Sequence, residues 1–428
     1  MRSWRRRGFN FHFDGRVATG QRTRSSRRVH TACGHTMLDS NEGHSMASGF
    51  STPPRHPRDF GHHLARFRAT AVYGRMATLP TASIALQGAR IRLDGGALRV
   101  EHPDHPPRSL PLGHLGGLVL LGAVELTTAA MRTLTERGIA CVIASQTGRV
   151  QAVVAPWTTG GLARRAAQHR LEDSRAEGRV DGPHLALARA IIDAKCGALL
   201  DLLAQHQRTH HDIDLSEPIA RIRAQRSRAS SAGSIDELRG HEGAAMACYF
   251  SAMPALCRTE LTTCHRTRRP PRDPVNAALS FGYSLLVCEM TAALLARGLD
   301  PMLGILHPPE GGRPSLALDL IEPLRHTVVD RMVLRAANRR ELTTADFTVE
   351  QANATEDDLA TPEQAFRLTE PGRAKFLSMF QMAMVQPNEQ ATEPRVGVTV
   401  PGRAQISNSV AAYELLLQAQ LSESRPVP

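Results

Sequence analysis

The sequence predicts an α+β protein, with a small N-terminal β-rich domain followed by a larger, mainly α-helical domain. Three observations carry this. Short apolar runs separated by Gly- and Pro-containing turns fill residues 80–156. From Leu162 onward the apolar spacing lengthens to that of helices. The chain has 428 residues, enough for two or three domains, and 42% apolar with 22% charged residues describes a globular protein.

In the β-rich part, Ala82–Gln87 and Arg90–Leu93 read as strands, Asp94-Gly95-Gly96 as a turn and Leu98–Glu101 as the returning hairpin strand. Leu118–Gly122 is another short apolar run. Thr127 or Thr128 caps a helix through Arg137, which Gly138 ends. Ile139–Ala144 suits a buried strand, and Gln146-Thr147-Gly148 turns the chain into Arg149–Ala155 before Pro156. Helices are expected over Leu162–Glu177, Leu185–Arg208, Ile219–Ala229, Ile235–Phe250, Asn276–Arg297, Ser315–Ala337, Thr361–Phe366, Gly372–Met384 and Ser407–Leu421. The long apolar one, Asn276–Arg297, has Asp273-Pro274 before it and Gly298 behind it. The expected domains are a basic arm over 1–75, the β-rich domain over 76–156 and the helical domain over 157–428. No internal repeat of 20–50 residues is visible.

Charge is unevenly placed. Residues 1–75 hold 14 Arg, no Lys and four acids (Asp14, Asp39, Glu42, Asp59), which accounts for +10 of the +11 net charge. The arm lacks helical or strand periodicity. It reads as non-native coding sequence with Met76 as the true start, or as a disordered nucleic-acid-binding tail. A targeting peptide fits poorly, because the arm is His-rich and has no apolar h-region. Zinc binding by His30, Cys33 and His35 lacks a fourth ligand. The best membrane candidate, Phe281–Leu299, contains Glu289 and Arg297, so no membrane partner is expected. Seven cysteines, an odd number without a CxxC, argue against a disulfide scaffold or zinc finger and fit a reducing cytoplasm. Aromatics at 4% argue against stacking on single-stranded bases.

Three places carry candidate chemistry. Glu242 lies among glycines and small residues that allow another element to approach closely; alone it reads as a solvated helix charge. His307 follows an apolar helix and a loop; alone it reads as a surface histidine, and in context as a metal ligand. Asp319 and Glu322 are three apart and share a helix face. Acids within such an apolar stretch are costly to bury unless paired or metal-bound. Together these oxygens and one imidazole suit Mg²⁺ or Mn²⁺, which can polarise a phosphodiester. Arg221, Arg223, Arg226 and Arg228 precede Glu242, and Arg258, Arg266, Arg268, Arg269 and Arg272 follow it with Glu260 the only acid among them. They read as solvated faces or as phosphate contacts; Arg228, Arg268, Arg269 and Arg272 are the expected DNA contacts.

Five motifs in order carry a resemblance: Arg239-Gly240-His241-Glu242-Gly243-Ala244-Ala245; Arg268 through Ala277; Leu279-Ser280-Phe281-Gly282-Tyr283; Gly304-Ile305-Leu306-His307; and Ser315 through Pro323. From Met76 to Leu421 the chain resembles the CRISPR-associated integrase of spacer acquisition. The resemblance implies a metal held by Glu242, His307 and Glu322. The third position is Asp in many members; here it is Glu, with Asp319 one turn earlier, so which acid touches the ion stays open. Asn276 and Tyr283 match the helix motif, in packing or in support of the ligands. The arm has no counterpart, which fits the Met76 reading. The resemblance further implies a homodimer, a small dimeric partner protein of the adaptation module, and double-stranded DNA as both spacer precursor and repeat array. The expected reaction is attack of a DNA 3′-hydroxyl on a phosphodiester, with Cys248 and Cys288 as small core residues rather than nucleophiles. Two other readings are a metal-dependent nuclease or branched-DNA resolvase using water, and a non-catalytic DNA-binding scaffold.

Overall fold

The computed structural model describes residues 79–157, 161–176, 182–261, 271–351, 364–385 and 401–423, all within one compact unit. The arm, with His30, Cys33 and His35, and Met76 lie outside the described residues.

The N-terminal part runs β1 (Thr81–Ile84), β2 (Arg90–Asp94), β3 (Ala97–His102), β4 (His105–Pro111), β5 (Gly117–Leu121), β6 (Glu125–Leu126), α1 (Thr128–Glu136), β7 (Ala140–Ala144) and β8 (Val150–Val154). One sheet has the order β1-β5-β7-β8, with β8 alone antiparallel to its neighbour; the other has the order β4-β3-β2-β6. The hairpin β2–β3 forms in the expected place, with Asp94 opposite Ala97 and Gly95 at φ +60, as a two-residue turn demands. α1 is capped by Thr127, whose hydroxyl accepts from Ala130 N, and Gly138 at φ +74 follows its end. The sequence gives little sign of β4, because Pro106, Pro107 and Pro111 interrupt it. Those prolines are tolerated because β4 is an edge strand.

The central strands of the first sheet, β5 and β7, are buried on both faces. Leu118 and Leu120 of β5 join Ile91, Leu98 and Leu134 in a small core. Val119 and Leu121 point the other way, into the helical core with Val142 and Ala144. This explains why β5 and β7 are almost wholly apolar instead of alternating. It also fixes their register, since a one-residue slip would exchange the two sets.

The helical part begins with α2 (Leu162–Ala176), α3 (Pro183–Thr209), α4 (Ser216–Ala229), α5 (Ile235–Leu256) and α6 (Pro274–Ala296). α6 is long and apolar enough to cross a membrane, yet most of it is buried in the helical core. Asp273 Oδ1 accepts from Asn276 N at 2.7 Å and Pro274 fills the first turn, so the sequence signal for this helix start is met.

Two expectations are corrected. Ser315–Ala337 is not one helix but α7 (Ser315–Leu320), α8 (Glu322–Leu324), a π-helical turn (Arg325–Asp330) and α9 (Arg331–Asn338). Pro323 has no N–H for the carbonyl of Asp319 and its ring crowds that oxygen, which breaks the helix there. Thr361–Phe366 is not helical over its described residues: β10 (Gln364–Leu368) pairs antiparallel with β9 (Phe347–Gln351). So short a window has no decisive period, and its partner strand decides the outcome. α10 (Glu370–Val385) and α11 (Gly402–Glu423) complete the chain.

Gly282 is where α6 meets the π turn. A Cβ there would lie 2.5 Å from Val329 Cγ1 and 3.1 Å from the Phe376 ring, whereas one at Gly243 would meet nothing within 4 Å. Gly282→Ala is therefore expected to lower stability by about 1–3 kcal/mol through overpacking. Gly243→Ala should be neutral or raise it by up to about 1 kcal/mol through helix propensity. Urea unfolding of both variants checks the contrast.

Candidate active site

The helical period of α5 places Glu242 on its buried stripe, between Leu238 and Ala245 and two turns before Tyr249. Gly240 and Gly243 face open space, so the close approach expected there is not made by another element among the described residues. Glu242 opens into a cavity of about 120 Å³, large enough for several water molecules. His307 and Glu322 line the same cavity. Three residues remote in sequence, two of them on helices and one on a loop, thus line one cavity.

His307 is held by its backbone and by its ring. Asp319 Oδ2 accepts from Ile305 N at 2.6 Å, Leu306 N at 2.8 Å and His307 N at 3.4 Å. Asp319 Oδ1 accepts a hydrogen bond from His307 Nδ1 at 2.5 Å. An imidazole bonded this way through Nδ1 keeps its lone pair on Nε2, the tautomer a metal ligand requires. Gly304 makes the tight loop possible, because a Cβ there would lie 2.3 Å from His307 O and 3.1 Å from Asp319 Oδ2. Arg239 donates to Leu306 O and clamps the loop from α5.

Asp319 and Glu322 do not act as one face. α7 ends at Leu320, and the break before Pro323 sends the two carboxylates to different partners. Asp319, fully buried with both oxygens engaged behind His307, is not among the groups lining the cavity. Glu322 faces Lys195 of α3 and Arg325 of the π turn. Lys195 Nζ lies 2.6 Å from Glu322 Oε2, an ion pair rather than a directed hydrogen bond, and also pairs with Glu242 Oε1. Arg325 reaches Glu322 Oε1 at 3.2 Å and stacks over the Tyr283 ring at 5.0 Å. Burial pushes the Glu322 carboxyl up, but Arg325 and Lys195 outweigh it and hold it down at about 2.

Beneath the cavity lies a buried network that the sequence reading missed. Asp330 accepts from Tyr283 at 2.5 Å and Tyr249 at 2.7 Å, and His326 Nδ1 lies 2.6 Å from it. Tyr283 therefore supports the floor of the site, while Asn276 serves the start of α6 by also donating to Asp273. Lys195, Arg239, Arg313 and Arg325 bring four cations to a cavity lined by two carboxylates. No three His, Cys, Asp or Glu side chains form a ready metal cage among the described residues. The donor set nevertheless fits a hard divalent ion, with two carboxylates and an oriented imidazole, once the ammonium between the carboxylates moves.

The chain matches the family described as CRISPR associated protein Cas1 over residues 83–382. It belongs to the Cas1 family. A relative from Rhodospirillum rubrum, named CRISPR-associated endonuclease Cas1 2, is 35% identical over 280 residues, 63% of this chain and 79% of the relative. A casposase bound to integration product has a TM-score of 0.61 at 21% identity, covering 82% of this chain and 92% of its own. A chain of a Cas6-RT-Cas1–Cas2 complex has a TM-score of 0.62 at 22% identity, covering 81% of this chain and 36% of its own. At these identities the two structures share the Cas1 fold.

The arginines expected to contact DNA in this Cas1-family chain divide. Arg228 is exposed at the end of α4, near exposed Arg221 and Arg223, and Arg272 is exposed before α6. Arg266, Arg268 and Arg269 lie outside the described residues. Arg226 grips Asp193 through two bonds of 2.6 and 2.8 Å, and Arg258 pairs with Asp212 at 2.9 Å, so both hold the fold. Burial pushes the Cys288 and Cys141 thiols up to about 12 and Cys196 to about 11, which keeps them protonated. Cys248 is half-buried against the core.

Because Glu322 sits below its ordinary carboxyl range in the folded protein, its contribution to stability is full above pH ~4.5 and is lost as pH falls toward 2. That contribution is about 3 kcal/mol at neutral pH. Glu322→Gln should be clearly less stable than wild type at pH 7, and the gap should narrow from pH 5 toward pH 3. Denaturant midpoints across that range check it.

Proposed function

We propose that this chain is a metal-dependent DNA integrase with endonuclease chemistry, which inserts short duplex segments as spacers into a CRISPR array. The observation that carries the reading is the convergence of Glu242, His307 and Glu322 in one cavity that also presents Lys195, Arg239, Arg313 and Arg325. Two carboxylates alone would repel a phosphodiester. The surrounding cations reverse that sign and attract it.

A Mg²⁺ or Mn²⁺ ion held by Glu242, His307 and Glu322 would supply Lewis-acid stabilisation of charge at the reacting phosphate. The chain's own residues do the rest. Asp319 accepts a hydrogen bond from His307 Nδ1 and fixes the loop, so the ring is aimed before any ligand arrives. Arg239 and Arg313 line the cavity where phosphate oxygens would enter and hold them by charge. Transesterification exchanges one phosphodiester for another, so no protein nucleophile is needed, in keeping with the protonated buried cysteines. The exposed arginines Arg228 and Arg272 track the duplex backbone beyond the cavity.

Two joinings, one on each strand, call for two sites, which a homodimer provides. The edge strand β8 supports this reading: Val153 is 42% exposed, and Trp157 just after the strand is 98% exposed. The small dimeric partner is assigned by likeness to the chain of the Cas1–Cas2 complex. Val153→Asp combined with Trp157→Ser should halve the mass measured by light scattering while the circular dichroism spectrum is retained. An unchanged mass would place the dimer elsewhere or exclude it.

Activity is tested on a supercoiled plasmid carrying a repeat array, with a 3′-hydroxyl duplex and Mn²⁺. Joined products are expected, and Glu242→Ala or His307→Ala should reduce them about a hundred-fold or more. Nicking without joining would favour a nuclease or resolvase using water; binding without products would favour a scaffold.

A further inference from the structure

Of the 52 basic residues in this chain, two are lysines, Lys195 and Lys375. Everywhere else a cationic side chain is an arginine. Lys195 sits on the buried stripe of α3 with Ile191, Ile192 and Leu199, and its side chain is 5% exposed. An ammonium at that depth is costly unless compensated. Its compensation is the pair Glu242 and Glu322, contributed by α5 and α8. Without a cation between them these carboxylates would repel each other across the cavity. A guanidinium is a planar fork suited to gripping one carboxylate twice, as Arg226 grips Asp193. An ammonium is a compact point charge that can stand between two.

That place is also the one a divalent ion needs. Glu322 has Arg325 on Oε1 and Lys195 on Oε2, so an ion reaching it displaces one of them. Arg325 is held a second time, by the face of Tyr283. Lys195 is held by the two carboxylates that the ion itself takes up, and its four-carbon stem lets the ammonium move aside. The geometry points to Lys195 as a resident counter-ion, which bridges Glu242 and Glu322 in the ion-free protein and leaves them when Mg²⁺ or Mn²⁺ binds. This rests on the assignment of Glu242, His307 and Glu322 as ligands. The entering ion therefore competes with an ammonium as well as with water. The displaced charge remains in the cavity, available to a phosphate.

The full-length chain is treated with an amine-acetylating reagent at fixed pH, with and without Mn²⁺, and both lysines are quantified by mass spectrometry. Lys375, half-exposed and paired with Asp346, is the internal control. Lys195 acetylation should rise several-fold with Mn²⁺ while Lys375 stays constant, and His307→Ala should abolish the rise. In a second measurement, Lys195→Met should bind Mn²⁺ about ten-fold more tightly and show a larger Mn²⁺-induced thermal shift. If wild type takes up Mn²⁺, and loses it in His307→Ala, while Lys195 labelling is unchanged, the counter-ion role is overturned and the ligand assignment stands. If neither wild type nor Lys195→Met takes up Mn²⁺, both are overturned.

Discussion

Charge balance inside a small buried cavity governs this molecule. Glu242 and Glu322 are brought together from separate helices, and like charges at that depth are tolerable only with cations between and beside them. The fold therefore commits Lys195 and Arg325 to the pair. It then commits Tyr283 to Arg325 and Asp330 to Tyr283, so that each buried polar group passes its demand to the next. The chain ends at Asp330, whose carboxylate is surrounded by Tyr249, Tyr283 and His326. Every carboxylate of this network has at least one charged or hydrogen-bonding partner, while Arg325 Nε and His326 Nε2 have no hydrogen-bond partner among the described residues.

The broken helix at Pro323 gives two nearby acids different work. In an unbroken α-helix Asp319 and Glu322 would project from neighbouring positions and compete for the same cation. With the chain interrupted between them, Asp319 turns to the loop amides and the His307 ring, and Glu322 turns to the cavity. One acid orients a ligand while the other serves as one in the proposed site. The π turn that follows continues the displacement and delivers Arg325 and Asp330 to α6, a use that fits the tendency of π geometry to occur at functional sites.

Much of this was legible in the chain itself. Glu242 stands at helical spacing within an apolar stripe, and His307 and Glu322 close motifs whose order is distinctive. The β2–β3 hairpin and the start of α6 carry their signals in Gly95 and in Asp273-Pro274. Lys195 was overlooked although its signal was present, because a single lysine in an apolar helix of an arginine-rich chain is a conspicuous exception. Asp330 carries no such mark, since two of its three partners, Tyr249 and Tyr283, lie on α5 and α6 and only the tertiary fold brings them to it. The strand character of β10 was equally hidden, as it comes from β9 rather than from its own residues. The separate roles of Asp319 and Glu322 depended on a break whose cause, Pro323, is visible in the sequence but whose consequence is spatial.

The first sheet connects the β-rich part to the chemistry. The turn between β7 and β8 rests on α6: a Cβ at Gly148 would lie 2.6 Å from Ser284 Cβ, and Cys288 Sγ donates to Gly148 O at 3.5 Å. Ser284 is the neighbour of Tyr283, which holds both Arg325 and Asp330. The height and rotation of α6 are thus set from one side by the sheet and from the other by the π turn meeting Gly282. A fixed α6 in turn fixes Arg325, and through it the position of Glu322. Among the described residues the β-rich part contributes no side chain to the cavity, yet it helps determine the cavity's geometry, because the helix carrying the floor of the site is packed against it.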